Sequence, residues 1–138
     1  MSAAEEDRRI ARGAAALLAF AFDLPPEVFF RPSRGRAVEA EARALWMVVL
    51  RRATVLEEGA EPLSVGRIAA AIGRDRSTVS HALHSVEADC EEDPDLDAFL
   101  SHYARLTREL IAISSHTVAE IEARAEASRP HAIQARAQ

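Results

Sequence analysis

The segment that most restricts the possible folds is "SVGRIAAAIGRDRSTVSHALHSVE", residues 64–87. It holds two helix-start signals and one stop signal in close succession. Ser64 has a side-chain oxygen suited to the free N–H groups of a first helical turn. Gly73 supplies the left-handed residue on which helices commonly end. Asp75 can then cap a second helix, with Val79, Ala82, Leu83 and Val86 as its apolar stripe. A sheet accommodates none of this. Two short helices with a tight turn have the dimensions of a helix-turn-helix.

The rest of the chain also reads as helix. Its 138 residues suit one domain with a helical extension, rich in alanine and poor in aromatics. Residues 4–22 form a first amphipathic helix with Ile10, Ala14, Leu17, Leu18 and Phe22 near one face. Asp23 and Pro25-Pro26 end it, and "PEVFF" suits a single turn. "RPSRGR", residues 31–36, is a basic loop, and a long helix follows over residues 37–55. "EADCEEDPDLD", residues 87–97, holds seven acids and is expected to be a solvated turn. It lacks the glycine and terminal acid of a calcium loop. The expected fold class is all-α.

After Pro94 a helix resumes. Leu96, Phe99, Tyr103, Leu106, Leu110 and Ile113 alternate steps of three and four, a heptad-like seam. Such a seam packs against its own core or presents a partner or dimer surface, with Phe99, Tyr103, Leu106 and Leu110 as the contact residues. The chain therefore divides into a domain over residues 1–93, a C-terminal helical extension over 94–127 and a flexible tail over 128–138.

The net charge is −5, yet arginines cluster in the middle of the chain. Residues 31–84 carry nine arginines against six acids, a local +3. Phosphate binding follows the local field rather than the sum. A basic helix-turn-helix lays the start of its second helix in the major groove of double-stranded DNA. The side chains available there are Asp75, Arg76, Ser77 and Ser80, with His81 facing the groove and Arg74 and Thr78 placed for phosphates. Arginine pairs with guanine, and a short carboxylate accepts from cytosine.

The run Gly73-Arg74-Asp75-Arg76-Ser77-Thr78-Val79, followed by His81-Ala82 and Val86-Glu87, resembles DNA-binding domain IV of the replication initiator DnaA. The likeness extends back through Arg43 on the long helix and the Arg34-Gly35-Arg36 loop, and covers about two thirds of the chain. It implies a Trp-repressor-like helical arrangement. Asp75, Arg76 and Ser77 would contact bases, Thr78 the backbone or a thymine methyl, and Arg34 or Arg36 the adjacent minor groove. Arg76 stands where the family has histidine, and Glu39 and Glu41 stand where it has basic residues. No ATPase domain accompanies the module. The resemblance therefore implies a stand-alone bacterial transcription regulator, similar to gene-transfer-agent activators that pair such a module with a sigma-like partner. The alternatives are an adaptor that holds a sigma-like or RNA polymerase partner through its C-terminal helices, and a modulator competing for initiator sites.

Other chemistry is poorly supplied. All seventeen basic residues are arginine, which removes the lysine of a P-loop and the amine of a Schiff base. His81 and His84 lack a further metal ligand nearby, and Ser114-Ser115-His116 lacks an orienting acid. The expectation is no enzyme, no cofactor and no metal. The lone Cys90 fits a reducing compartment. Arg8-Arg9 ahead of an apolar run is flanked by acids, and the run is too short to span a bilayer. A cytoplasmic, nucleoid-associated protein without membrane contact is expected.

Overall fold

The computed structural model describes the chain apart from Met1, Ser33, Arg34, Glu57, Glu58 and Gln138, and beyond Arg129 it describes backbone alone. Five α-helices account for most of it: α1 (Ala3–Phe22), α2 (Ala37–Val55), α3 (Val65–Ile72), α4 (Arg76–Glu92) and α5 (Pro94–Ala137). A 3₁₀ turn covers Pro26–Phe30. No strand occurs among the described residues, so the fold is all-α. None of these helices is long and apolar enough to cross a membrane.

Local chemistry accounts for the helix ends. Ser2 and Glu5 form a capping box at the start of α1, and Asp23 closes it in the left-handed conformation at φ 53°. Ser64 accepts from the Arg67 N–H at 3.2 Å, and Gly73 ends α3 at φ 73°. The acidic stretch behaves differently from expectation. Helix α4 runs through it to Glu92 because Val86 and Cys90 continue its buried stripe. Only Asp93 interrupts the helices, since a residue preceding proline is pushed out of the helical region. Its carboxylate then caps α5, accepting from the N–H groups of Asp95 (3.1 Å) and Leu96 (3.2 Å).

Helix α2 runs through the middle of the molecule, with α1, α4 and α5 packed around it and α3 lying on α1 and α4. Trp46 is fully buried and donates its indole N–H to the Ala11 carbonyl at 2.8 Å. The rings of Phe29 and Phe30 meet it edge-on. Asp7, buried on α1, accepts two bonds from Arg67 of α3 at 2.9 and 3.0 Å. This bidentate pair fixes the first helix to the third.

Helix α5 corrects two expectations. Its buried residues are Leu100, Ala104 and Thr107, one position on from the expected seam. Phe99 and Tyr103 are half-buried against the same core, Phe99 meeting Phe22 edge-on at 6.3 Å. Leu106 and Leu110 are also half-buried. Thr107 disguised the stripe, since a polar residue breaks the apolar pattern. Its hydroxyl is satisfied by the Tyr103 carbonyl at 2.8 Å. The first half of α5 thus completes the core of residues 1–93 rather than extending from it. The helix continues through the segment expected as a tail to Ala137.

Leu100→Ala is expected to cost about 2–5 kcal/mol, read by urea unfolding, with the whole chain still melting in one transition. An unchanged midpoint would make α5 an appendage.

Candidate nucleic-acid interface

The turn between α3 and α4 is three residues long, Gly73 to Asp75, so the two helices are held in a fixed relation. Val79, Leu83, Val86 and Cys90 anchor α4 in the core. Burial pushes the Cys90 thiol above its ordinary value, with the nearby Arg52 charge opposing the shift. With the apolar stripe turned inward, Arg76, Ser77, Thr78, Ser80 and His81 are all exposed along the first turns of α4.

Asp75 is the N-cap. Its Oδ1 accepts from the Thr78 N–H at 2.7 Å. That bond, with further ones from Thr78 and Ser77, holds the carboxyl below its ordinary 3.8. Much of its accepting capacity is therefore spent inside the protein, which favours a structural role over base contact.

A groove of about 740 Å³ runs between α2 and α4, lined by Arg43, Arg74, Ser77, Thr78 and His81 among others. Two of its arginines depart from the sequence expectation. Arg43 is buried and donates to the Val28 carbonyl at 3.1 Å, so it forms part of the groove wall instead of reaching out to DNA. Burial lowers its pKa, as do the neighbouring charges of Arg74 and Arg31, while Glu39 offsets them. Arg74 is folded back as well. Its guanidinium donates to the Pro32 carbonyl at 3.2 Å and to the Arg31 carbonyl. It ties the basic loop to the α3–α4 turn and does not stand free for a phosphate.

The loop supplies the remaining cations. Arg31 and Arg36 are exposed. Arg36 also begins α2, where its Nε lies 3.3 Å from Glu39 and its backbone N–H donates to the same carboxylate at 3.1 Å. That backbone bond, despite opposing desolvation, lowers the Glu39 pKa. Arg34 lies outside the described residues. Arg31 was missed as a site residue, though its place at the head of "RPSRGR" was signal enough to include it.

The acids stand at the other end of α4. Seventeen residues separate the two ends by roughly 25 Å at about 1.5 Å per residue. That is about three Debye lengths at physiological salt. Glu87 and Asp97 are also paired with Arg52, at 3.0 and 2.8 Å. The acidic end therefore does little to cancel the basic field at the start of the helix.

Among the described residues no cluster of His, Cys, Asp and Glu is placed to hold a metal. No protein-family model matches the chain, and neither a curated protein nor a solved structure matches it.

Asp75→Asn retains a capping oxygen without a titrating carboxyl. A carboxyl held low stabilises the fold above its ordinary value and loses that contribution as pH falls through its folded value. The difference in urea midpoint between the native chain and Asp75→Asn should be constant above about pH 5 and should move in the variant's favour below about pH 4. A difference independent of pH would remove Asp75 as a charged cap.

Proposed function

We propose that this chain is a sequence-specific regulator of transcription that binds double-stranded DNA. Helices α3 and α4 act as a helix-turn-helix of the DnaA domain IV, Trp-repressor-like kind. The observation that carries the reading is the start of α4. There a polar, exposed face with Arg76, Ser77, Ser80 and His81 is held on a buried stripe, and Arg74 ties the loop that carries the exposed Arg31 and Arg36 to the turn before it. The run Gly73 to Val79, resembling the initiator's DNA-binding domain, supports the same conclusion.

In this reading α4 enters the major groove with its first two turns, Arg76 and Ser77 meeting base edges and Thr78 a phosphate or thymine methyl. Arg31 and Arg36 lie along the neighbouring backbone or minor groove. Arg43, Arg74 and Asp75 keep helix and loop in register without leaving the protein. No catalytic step, cofactor or metal is part of the proposal, and the protein would work at the nucleoid.

The adaptor reading has its own support farther along α5. Ile113, Val118 and Ile121 are 67%, 48% and 57% exposed, an apolar series with no cover among the described residues. A transcription protein held there would sit away from the DNA-facing turns of α4.

Selection of duplexes from a random library tests the DNA reading. It should yield a defined site on which Arg76→Ala loses about 1–3 kcal/mol, with little loss on random duplex. Replacing Arg31 and Arg36 together with alanine should instead make log K against log salt shallower by about two units. Binding that is equally tight on every sequence, or absent, would leave the adaptor reading standing.

A further inference from the structure

Arg76 does not extend freely from α4. A Cβ built on Gly66, in the first turn of α3, would lie 3.0 Å from its Nη2, 3.2 Å from Cζ and 3.3 Å from Nε. Three atoms of one planar group at nearly equal distances mean that the guanidinium lies face-on against the α3 backbone. Among the described residues Arg76 has no hydrogen-bond or ion-pair partner to fix it otherwise. Its placement therefore depends on the space that a missing side chain leaves on the next helix.

The helix itself gives no reason for a glycine there. Gly66 has none of the positive φ that marks Gly35, Gly59 and Gly73. It lies inside a helix, where alanine is the better residue. Nor does it avoid a collision with backbone or core, because all three of those close contacts are to the end of an exposed arginine. Electrostatics does not favour the position either, since the start of a helix repels a cation. What the glycine provides is room.

We propose that Gly66 is a positioning residue for base recognition: it lets the Arg76 guanidinium lie flat on α3, aimed from there at a base edge. This rests on the proposal that α4 reads DNA. An arginine pre-aimed in this way loses less rotamer freedom on binding, and a bidentate contact with guanine needs the plane of the fork set correctly. A methyl group at position 66 would push the guanidinium off by a few tenths of an ångström or into another rotamer. The cost would fall on recognition and not on the fold.

The test is a double-mutant cycle on the full chain with Gly66→Ala and Arg76→Ala. It uses the duplex selected by the native protein, a copy changed at the base pair where Arg76→Ala relaxes preference, and a thermal melt. Gly66→Ala should leave the melting midpoint equal or higher, because alanine favours helix. Its discrimination between the two duplexes should fall about five-fold or more. In the Arg76→Ala background the same substitution should change nothing further. Unchanged discrimination in Gly66→Ala, or a loss that persists without Arg76, overturns the inference while DNA reading by α4 survives. A native chain that discriminates no duplex from any other overturns both.

Discussion

Six consecutive residues of α2, Leu45 to Leu50, are buried, and a helix enclosed in this way can leave no polar group unanswered. Trp46, Arg43 and Arg52 of α2 therefore each dictate a neighbour. Trp46 requires the Ala11 carbonyl and so places α1; Arg43 takes the Val28 carbonyl and holds the turn before α2. At the far end Arg52 donates to Glu87, to the Asp97 carbonyl and to Ser101 at 2.9–3.0 Å. Burial works against the Arg52 charge, but its bonds to Glu87 and Asp97 outweigh that and raise its pKa. Among the described residues no buried side-chain polar atom lacks a partner. Satisfying α2 in this way ties α1, α4 and α5 to it, while α3 is held to α1 by the Asp7–Arg67 pair.

Arginine serves two purposes here. Arg43, Arg52, Arg67 and Arg74 have their guanidinium groups turned onto carbonyls and carboxylates of the protein itself. The planar fork suits that task, because it can meet two acceptors at once where an ammonium offers a point charge. Arg31 and Arg36 of the basic loop and Arg76 at the start of α4 are exposed. A sequence count cannot separate the two sets. The basic middle of the chain is in good part internal scaffolding, and the field available to a phosphate comes from fewer groups than the local +3 suggests.

What the sequence made legible was local. Ser64, Gly73 and Asp75 marked the helix ends where the structure has them, because caps and left-handed turns depend on a few adjacent residues. The bounds of α2 followed from proline, glycine and periodicity in the same way. The non-local features were hidden. Thr107 is fully buried yet polar, so the α5 stripe read one residue out of phase. The acids at 87–92 looked like a turn because charge masked the continuing Val86–Cys90 face. Arg43 and Arg74 bond to backbone carbonyls about fifteen and more than forty residues away in the chain. A carbonyl has no residue-type signature, so no motif announces such a bond. Gly66 was silent for the same reason, its neighbour lying on another helix.

Helix α5 extends well past the core. Leu100 to Thr107 hold it in place, whereas residues 116–129 are exposed. At about 1.5 Å and about 100° per residue, the stretch beyond Ile111 reaches outward by roughly 40 Å and winds as it goes. Anything carried near its tip is therefore indexed to the exposed start of α4 by an angular phase as well as a distance. Deleting one residue from the shaft would scarcely shorten it but would swing the tip about a quarter turn around the axis. Deleting seven would shorten it by about 10 Å and bring the original face nearly back. The length of this helix is in that sense a setting of direction.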